Sequence, residues 1–255
     1  KTKIVSTLGP ATHTEEVLLG MVPYIDIVRL NFSWGTHEDM SLLISMIRKV
    51  SDQSGKKIAI MQDLSGPRKQ EVEGHHFNDG AEEVITQKDL DDLLFGVKEG
   101  VDYVALSYVG SSRDVVTLKS HMETLGKQIP IIAKIERVEA VNDIDSIIDV
   151  SDGIMIARGD LGQAFPIEEV PFLEKRILNA CGKKNRFVIV ATEMLLSMVT
   201  ADRPTRAEVT DVAFAVTSGA SAVMLSEETA KGNHPIKVVE ILDRIVKNAE
   251  AHTHL

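Results

Sequence analysis

Short runs of aliphatic residues alternate with longer amphipathic segments from one end of the chain to the other. Stretches such as Ala222-Val223-Met224-Leu225 carry no polar residue, as is typical of parallel strands covered on both faces. The pattern predicts eight strands, at residues 3–8, 26–32, 57–64, 102–109, 130–136, 153–157, 187–192 and 222–226. Strands that alternate with helices predict an α/β fold. Eight such units favour a single-domain (β/α)8 TIM barrel over residues 1–255 rather than a doubly wound open sheet.

The segments between these runs carry helical signals. Thr205 and Glu208 follow Pro204 with the spacing of a capping box, which predicts a helix start there. The helix after the fifth strand has an apolar stripe formed by Val141, Ile144, Ile147 and Ile148. Residues 65–85 differ, because they contain Gly and Pro with few apolar residues and no period, and we expect a long loop there.

Composition excludes several classes of protein. The 255 residues carry a net charge of −10, which argues against nucleic acid as a partner. The longest apolar runs fall far short of the roughly 20 residues that a membrane helix needs. The single cysteine, Cys181, cannot form an internal disulfide, and we expect a packed thiol. These features predict a cytoplasmic protein with no membrane partner, and the sequence contains no P-loop or dinucleotide-binding motif.

Polar residues gather where the predicted strands end. In a closed barrel the carboxyl ends of all strands converge on one rim, so residues far apart in sequence can form one site. The polar strand-end residues are Arg29, Asn31, Ser33, Asp63, Ser107, Lys134, Glu136, Asp160, Thr192, Ser226 and Glu228. The amino ends offer little comparable, and we therefore expect a site at the carboxyl rim.

Lys134 interrupts an apolar strand and is the most informative of these residues. An unpaired buried ammonium group is costly, so Lys134 needs an anionic partner. Glu136 lies two residues further along, on the same side of the strand, as a structural ion pair or as a metal-holding carboxylate beside the lysine. Asp160 follows the sixth strand in a glycine-flanked turn, and this pair of carboxylates would suit Mg²⁺ or Mn²⁺.

Three further strand ends each have two interpretations. Arg29 is a cation in an apolar strand, suited to a phosphate group or to a structural salt bridge. The backbone amides around Gly159 and Asp160 lead towards a helix, where they could hold an anion or form an ordinary tight connection. Thr192 ends the seventh strand and is, by itself, best explained as a satisfied hydroxyl.

Eight segments of the sequence form a series that chance does not produce. They are KIVSTLGP at 3–10, VRLNFS at 28–33, QDLSGP at 62–67, AKIE at 133–136, SDGIMIARGDLG at 151–162, ATEML at 191–195, RPTRAEV at 203–209 and MLS at 224–226. Over the full length of the chain, this series resembles the catalytic barrel of the pyruvate kinase family.

The resemblance implies a glycolytic phosphotransferase that uses Mg²⁺ or Mn²⁺ together with K⁺. Its substrate would be phosphoenolpyruvate, and its phosphoryl acceptor ADP, giving pyruvate and ATP. Glu136 and Asp160 would bind the divalent ion, Lys134 would stabilise the transferring phosphoryl group and the enolate, and Arg29 would contact the phosphate. These roles agree with the need to neutralise charge at the reacting oxygens.

The resemblance also implies how the rest of the substrate and the monovalent ion are held. Thr192 and the amides of Gly159 and Asp160 would hold the carboxylate of phosphoenolpyruvate. The implied K⁺ ligands are Asn31, Ser33, Asp63 and the carbonyl of Leu64. Pyruvate kinases tend to form tetramers, so the resemblance implies a homo-oligomer as well.

The sequence departs from the family pattern on its nucleotide side. Pyruvate kinases carry a lid domain after the third strand and a regulatory domain after the barrel, where this chain has residues 65–85 and ends at Leu255. Gln70 stands at the position of an arginine that helps to hold the phosphoryl group, and Arg68 or Lys69 is its candidate replacement. ADP binding is therefore the part of the implied activity that the sequence leaves open.

Three functions follow as hypotheses. The preferred one is transfer of the phosphoryl group from phosphoenolpyruvate to ADP by a lidless barrel, which should be slow or leak towards hydrolysis. The second is a metal-dependent lyase or decarboxylase that works through a pyruvate enolate and needs no nucleotide site. The third is a phosphoenolpyruvate-binding module without turnover.

Overall fold

Eight parallel strands close into a barrel surrounded by helices, which confirms the predicted (β/α)8 fold. The computed structural model describes residues 1–70, 75–78, 80–81 and 83–253. The barrel strands are β1 (Lys3–Thr7), β2 (Ile27–Asn31), β3 (Ala59–Asp63), β6 (Tyr103–Leu106), β7 (Ile131–Ile135), β8 (Gly153–Ala157), β9 (Phe187–Ala191) and β10 (Ala222–Leu225). A separate two-stranded sheet consists of β4 (Arg68–Gln70) and β5 (His75–Phe77). Each barrel strand lies within the range that the sequence predicted.

The helices occupy the segments between the strands. They are α1 (Glu15–Met21), α2 (His37–Ser54), α3 (Gln87–Glu99), α4 (Ser112–Thr124), α5 (Val138–Asn142), α6 (Ile144–Val150), α7 (Arg158–Ala164), α8 (Val170–Lys183), α9 (Arg206–Thr217), α10 (Glu227–Ala230) and α11 (Pro235–Ala251). The predicted capping box begins α9, where the Thr205 side chain accepts from the Glu208 amide and Glu208 accepts from the Thr205 amide. None of the helices in the described part of the chain is long and apolar enough to cross a bilayer.

The barrel order is β1-β10-β9-β8-β7-β6-β3-β2, and the chain divides into two compact units. The first unit comprises Lys1–Leu30, Glu38–Ile60 and Val188–Leu255. Within it, β1 pairs in parallel with β10 and β2, and β10 pairs with β9. Every residue of β10 is buried, as expected of a parallel strand covered on both faces.

The second unit comprises Asn31–His37 and Met61–Phe187. Here β6 pairs in parallel with β3 on one side and with β7 on the other, and β7 pairs with β8. Strand β7 is buried along its whole length although it contains Lys134. The carboxyl ends of β3, β6 and β7 are therefore neighbours in one sheet.

Residues 65–85 contain regular structure that the sequence did not predict. Strands β4 and β5 pair antiparallel, and the Asn78 amide donates to the Pro67 carbonyl oxygen at 2.8 Å. The Phe77 ring packs against Tyr108 and beneath the Arg137 guanidinium group, at 5.5 and 3.8 Å. Ring and guanidinium contacts of this kind do not require alternating apolar and polar residues, so the sequence pattern did not predict the two strands. Residues 71–74, 79 and 82 of the predicted loop, and the Gln70 side chain, lie outside the described residues.

The predicted stripe after the fifth strand is buried, but it belongs to two helices rather than one. Val141 lies in α5, whereas Ile144, Ile147 and Ile148 lie in α6. Asp143 separates the helices, and its carboxylate accepts a hydrogen bond from the Ser112 amide at 3.0 Å. The Asp143 backbone itself leaves the helical conformation, with φ −100° and ψ 17°, and this ends α5 before α6 begins.

Candidate active site

Lys134 is buried at the carboxyl end of β7 and has the anionic partners that the sequence required. Only 8% of the residue is exposed. Its Nζ atom lies 3.0 Å from Glu136 Oε1 and 3.2 Å from Asp63 Oδ1, and it donates to Ser107 Oγ at 2.7 Å. The sequence predicted Glu136 as the partner, whereas Asp63 comes from a different strand. One ammonium group thus bridges two carboxylates and a hydroxyl.

Ser107 joins the components of this cluster. Its hydroxyl donates to the Leu64 carbonyl oxygen at 2.6 Å and lies 3.3 Å from Asp63 Oδ1, besides accepting from Lys134. Ser107 was noted as a strand-end residue but was given no role. The available signal was its place directly after β6, between the strands that carry Asp63 and Lys134.

Glu136 is a buried carboxylate, and its surroundings act on its pKa in opposite directions. Burial raises its pKa to about 7, against the lowering effect of the Lys134 charge and the Tyr108 amide. The negative charges of Asp160 and Asp63 raise the pKa further. The Tyr108 N–H donates to Glu136 Oε2 at 2.6 Å. Glu136 and Asp160 are therefore close enough for each to sense the charge of the other.

Gly159 and Asp160 lie in the first turn of α7, directly after β8. Both residues are partly exposed. The preceding residue, Arg158, forms a 3.2 Å salt bridge with the buried carboxylate of Glu174 on α8. This ion pair fastens the turn, so the Asp160 carboxylate and the nearby amides project from a fixed backbone.

Two carboxylates beside the cluster have the chemistry that a hard divalent cation prefers. The charge of Asp160 helps to raise the pKa of Glu136, and carboxylates are the protein ligands that Mg²⁺ and Mn²⁺ prefer. Among the described residues, no group of three or more His, Cys, Asp or Glu side chains is placed to hold a metal ion. Glu136 and Asp160 could hold such an ion if substrate oxygens and water supplied the remaining ligands.

The predicted K⁺ ligands follow β2 and β3. Asn31 Oδ1 accepts from the Ser33 amide at 3.1 Å, which closes a turn at the end of β2. The Phe32 amide donates to the Asp63 carbonyl oxygen at 3.0 Å and brings this turn beside the end of β3. The Leu64 carbonyl accepts from Ser107, as described above, but a carbonyl oxygen has a second lone pair.

In the first unit, Arg29 lies in the middle of β2 rather than at its end, and Thr192 directly follows β9. Arg29 is partly exposed, and its Nη1 donates to Thr7 Oγ1 at 3.2 Å. Thr192 has a φ of 72°, and Glu193 follows with a φ of 54°. A left-handed backbone is a clear outlier for a β-branched residue, and such strain concentrates at functional sites.

Two other candidate groups have structural explanations. Cys181 is buried in α8, and burial raises the pKa of its thiol to about 12, which confirms the predicted packed thiol and disfavours a nucleophile. Glu228 accepts hydrogen bonds from the Leu195 and Ser226 amides at 3.1 and 2.7 Å. It thereby fixes two turns of the first unit.

The family model for the barrel domain of pyruvate kinase matches residues 1–86 and 78–239. The chain belongs to the pyruvate kinase family. It is 34% identical to a pyruvate kinase of Sporosarcina psychrophila, over 98% of this chain and 57% of the relative. It is 34% identical to a pyruvate kinase of Mycobacterium intracellulare, over 96% of this chain and 69% of the relative. The pyruvate kinase of Corynebacterium efficiens is 36% identical, over 98% of this chain and 70% of the relative.

Pyruvate kinase relatives contain additional residues within the matched region. The chain spans 57% of the length of the Sporosarcina relative. The alignment with that relative nevertheless extends over 338 positions, whereas this chain has 255 residues in all. The family match itself falls into two segments that meet at residues 78–86.

Proposed function

We propose that this barrel is a phosphotransferase of the pyruvate kinase type. It would transfer the phosphoryl group of phosphoenolpyruvate to ADP and form pyruvate and ATP, with Mg²⁺ or Mn²⁺ and K⁺ as cofactors. The observation that carries the proposal is the buried Lys134 ammonium group among Asp63, Glu136 and Ser107. The membership of the chain in the pyruvate kinase family favours this reaction over the lyase hypothesis.

Lys134 supplies positive charge where the reaction develops negative charge. A buried, preorganised ammonium group acts more strongly on a nearby oxyanion than the same group in water. In the proposed reaction, Lys134 stabilises the enolate oxygen of pyruvate and the phosphoryl group that leaves it. Asp63 and Ser107 hold the ammonium group in position.

The other site residues bind and orient the substrate. Thr192 and the amides of Gly159 and Asp160 hold the substrate carboxylate, and Arg29 contacts the phosphate. Glu136 and Asp160 hold the divalent cation, which when bound supplies positive charge that polarises the phosphoryl and enolate oxygens. K⁺ is held by Asn31, Ser33, Asp63 and the Leu64 carbonyl. We also propose that the protein is cytoplasmic and that it forms a homo-oligomer.

In this proposal, residues 65–85 occupy the position at which relatives carry a lid domain. Support comes from the division of the family match into two segments, which overlap at residues 78–86, and from the longer alignments of the relatives. Arg68 begins β4, and its guanidinium group lies 5.2 Å from the centre of the exposed Trp34 ring. It is our candidate for the phosphoryl contact that Gln70 cannot make.

Replacement of Lys134 tests the proposed activity. We expect Lys134→Met to lower pyruvate formation from phosphoenolpyruvate and ADP by about 10²-fold or more, because one preorganised charge at the oxyanion is lost. The assay measures pyruvate at saturating Mg²⁺ and K⁺. Lys127→Met, on an exposed lysine before β7, is the matched control and should keep full activity.

The variant must be shown to be folded, because it leaves two buried carboxylates without their cation. Circular dichroism and gel filtration provide this check. Absence of ADP-dependent pyruvate formation by the unaltered protein would reject the proposal. Equal rates for folded Lys134→Met and the unaltered protein would reject it as well.

A further inference from the structure

Tyr108 lies beside the carboxylate cluster and was not identified from the sequence. It directly follows Ser107 after β6, and only 3% of the residue is exposed. Its backbone has a φ of 56°, in the left-handed region that non-glycine residues rarely adopt. The Tyr108 amide donates to Glu136 Oε2. Its backbone is therefore part of the same structure that holds Glu136.

The Tyr108 hydroxyl is buried and has no hydrogen-bond partner among the described residues. A buried hydroxyl without a partner is costly, and nearly all such groups in folded proteins are satisfied. A tyrosine hydroxyl carries its proton at neutral pH, so the Tyr108 side chain has a hydrogen-bond donor to offer.

The surroundings fix the direction of the Tyr108 side chain. Gly66 has a φ of 64°, and a Cβ atom at this position would lie 2.8 Å from Tyr108 Cδ2, so only glycine leaves room for the ring. On another side the Phe77 ring packs at 5.5 Å, itself covered by Arg137. The Arg137 Nη1 also donates to the Tyr108 carbonyl oxygen at 3.4 Å. The chain thus holds a strained residue and an unsatisfied donor in a defined orientation, which is typical of functional positions.

We propose that Tyr108 is a ligand-binding residue whose hydroxyl donates a hydrogen bond to an anionic oxygen of the substrate held at Lys134, Glu136 and Asp160. The ligand class is a small carboxylate with a neighbouring enolate or phosphoryl oxygen. This inference rests on the proposed function and adds a specificity-determining contact to it. Among the described residues the hydroxyl has no hydrogen-bond partner, whereas in the complex it would donate to the substrate.

The Tyr108→Phe variant separates the effect of the hydroxyl on ligand binding from its effect on the stability of the ligand-free protein. The probe is oxalate in the presence of Mn²⁺, with affinity measured by titration calorimetry on the full chain. We expect oxalate to bind about threefold to tenfold more weakly, the range for the loss of one hydrogen bond. We expect the melting temperature of the ligand-free variant to stay the same or rise by about 2–4 °C, because a buried unsatisfied hydroxyl is removed.

Tyr103→Phe is the matched control, because Tyr103 begins β6, the strand that Tyr108 follows, and stacks on Phe187 at 6.5 Å. It should leave oxalate affinity unchanged. A second titration with phosphoenolpyruvate locates the contact: weakening with both ligands assigns it to the carboxylate or enolate end, and weakening with phosphoenolpyruvate alone assigns it to the phosphoryl group. Either pattern supports the proposal.

Unchanged affinity of Tyr108→Phe for both ligands overturns the inference and leaves the proposed function intact, provided the unaltered protein binds oxalate and forms pyruvate. A melting temperature lowered by several degrees also overturns it, because the hydroxyl would then have a structural partner. If the unaltered protein neither binds oxalate nor forms pyruvate, the proposed function and the inference fail together.

Discussion

At the scale of the residue, the site is organised by the cost of burying charge. An ammonium group has three N–H donors, and Lys134 directs them to Glu136, Asp63 and Ser107. Removing one member of a buried ion pair is much more destabilising than the net value of the pair, because the other charge stays buried. The position of Lys134 is consequently fixed before any substrate arrives.

The raised pKa of Glu136 predicts a pH-dependent stability of the ligand-free protein. Burial is the largest cause that raises the pKa of the Glu136 carboxyl group from 4.5 to about 7 in the folded protein. At a pH between these two values, the folded state therefore holds a proton that the unfolded state has lost. The stabilising contribution is complete below about pH 4.5 and is lost as the pH rises through about 7. Relative to Glu136→Gln, the unaltered protein should lose stability between about pH 5 and about pH 8.

Melting temperatures measured across this range without divalent cations test the prediction. Glu139→Gln is the control, since its side chain is exposed and forms an ion pair with Arg137 at 3.3 Å. That variant should follow the pH profile of the unaltered protein. Parallel profiles for the unaltered protein and Glu136→Gln would mean that Glu136 does not titrate in this window.

At the scale of the element, helix starts connect the helices to the loops that follow the strands. Asp89 closes the capping box of α3 with Thr86, and its Oδ1 also accepts from the Gly66 amide at 3.0 Å. Glu208 does the same at α9, where it accepts from both the amide and the hydroxyl of Ser197 at 2.6 Å. Each carboxylate thus satisfies the helix start and orders the loop that follows a strand of its own unit.

Loss of the α9 cap should destabilise the protein without altering the site residues. We expect Thr205→Ala to lower the free energy of unfolding by about 1 kcal/mol, because the Glu208 amide loses its acceptor. Thr210→Ala is the matched control on the same helix, where the hydroxyl only bonds to the Arg206 carbonyl of the preceding turn. It should change stability by less than about 0.5 kcal/mol. Urea denaturation measures both, and equal losses would contradict the capping role.

At the scale of the whole molecule, the strand order assembles the acidic cluster. Ser107 and Asp63 are 44 residues apart in sequence, and Lys134 and Ser107 are 27 residues apart. They meet because β6 lies between β3 and β7, with Asp63 opposite Ala105 and Leu106 opposite Ala133. The chemistry is therefore a property of the parallel barrel order rather than of any one segment.

If the proposed reaction is correct, a barrel with only residues 65–85 in place of a lid should transfer the phosphoryl group of phosphoenolpyruvate to ADP incompletely. We expect more pyruvate than ATP to form from phosphoenolpyruvate and ADP, and some pyruvate to form without ADP, because water enters an active site that no lid closes. Parallel assays of pyruvate and ATP measure this ratio. Lys134→Met should lose both products, since the same charge serves transfer and hydrolysis. Equal yields of the two products, and no pyruvate without ADP, would show that water is excluded without a lid.

Much of this arrangement could be predicted from local patterns. The eight strands, the Thr205 cap and the need of Lys134 for an anionic partner all follow from the identities of near neighbours. The role of Ser107 did not, because a serine after a strand is common and only its neighbours in the sheet give it meaning. The pairing of β4 with β5 was also missed, since ring and guanidinium contacts from Tyr108 and Arg137 have no periodic signature.

The sequence by itself determined the (β/α)8 fold, the family and the strand ends that carry polar residues, because hydrophobic periodicity and motif spacing are local properties of a chain. The tertiary structure decided that Asp63 and Ser107 share the Lys134 ammonium group, and that burial and neighbouring carboxylates raise the pKa of Glu136. It also decided that the Tyr108 hydroxyl is buried with no hydrogen-bond partner in the part of the chain that the structure describes. These properties depend on distances between different strands and on the exclusion of water, which only the assembled barrel fixes.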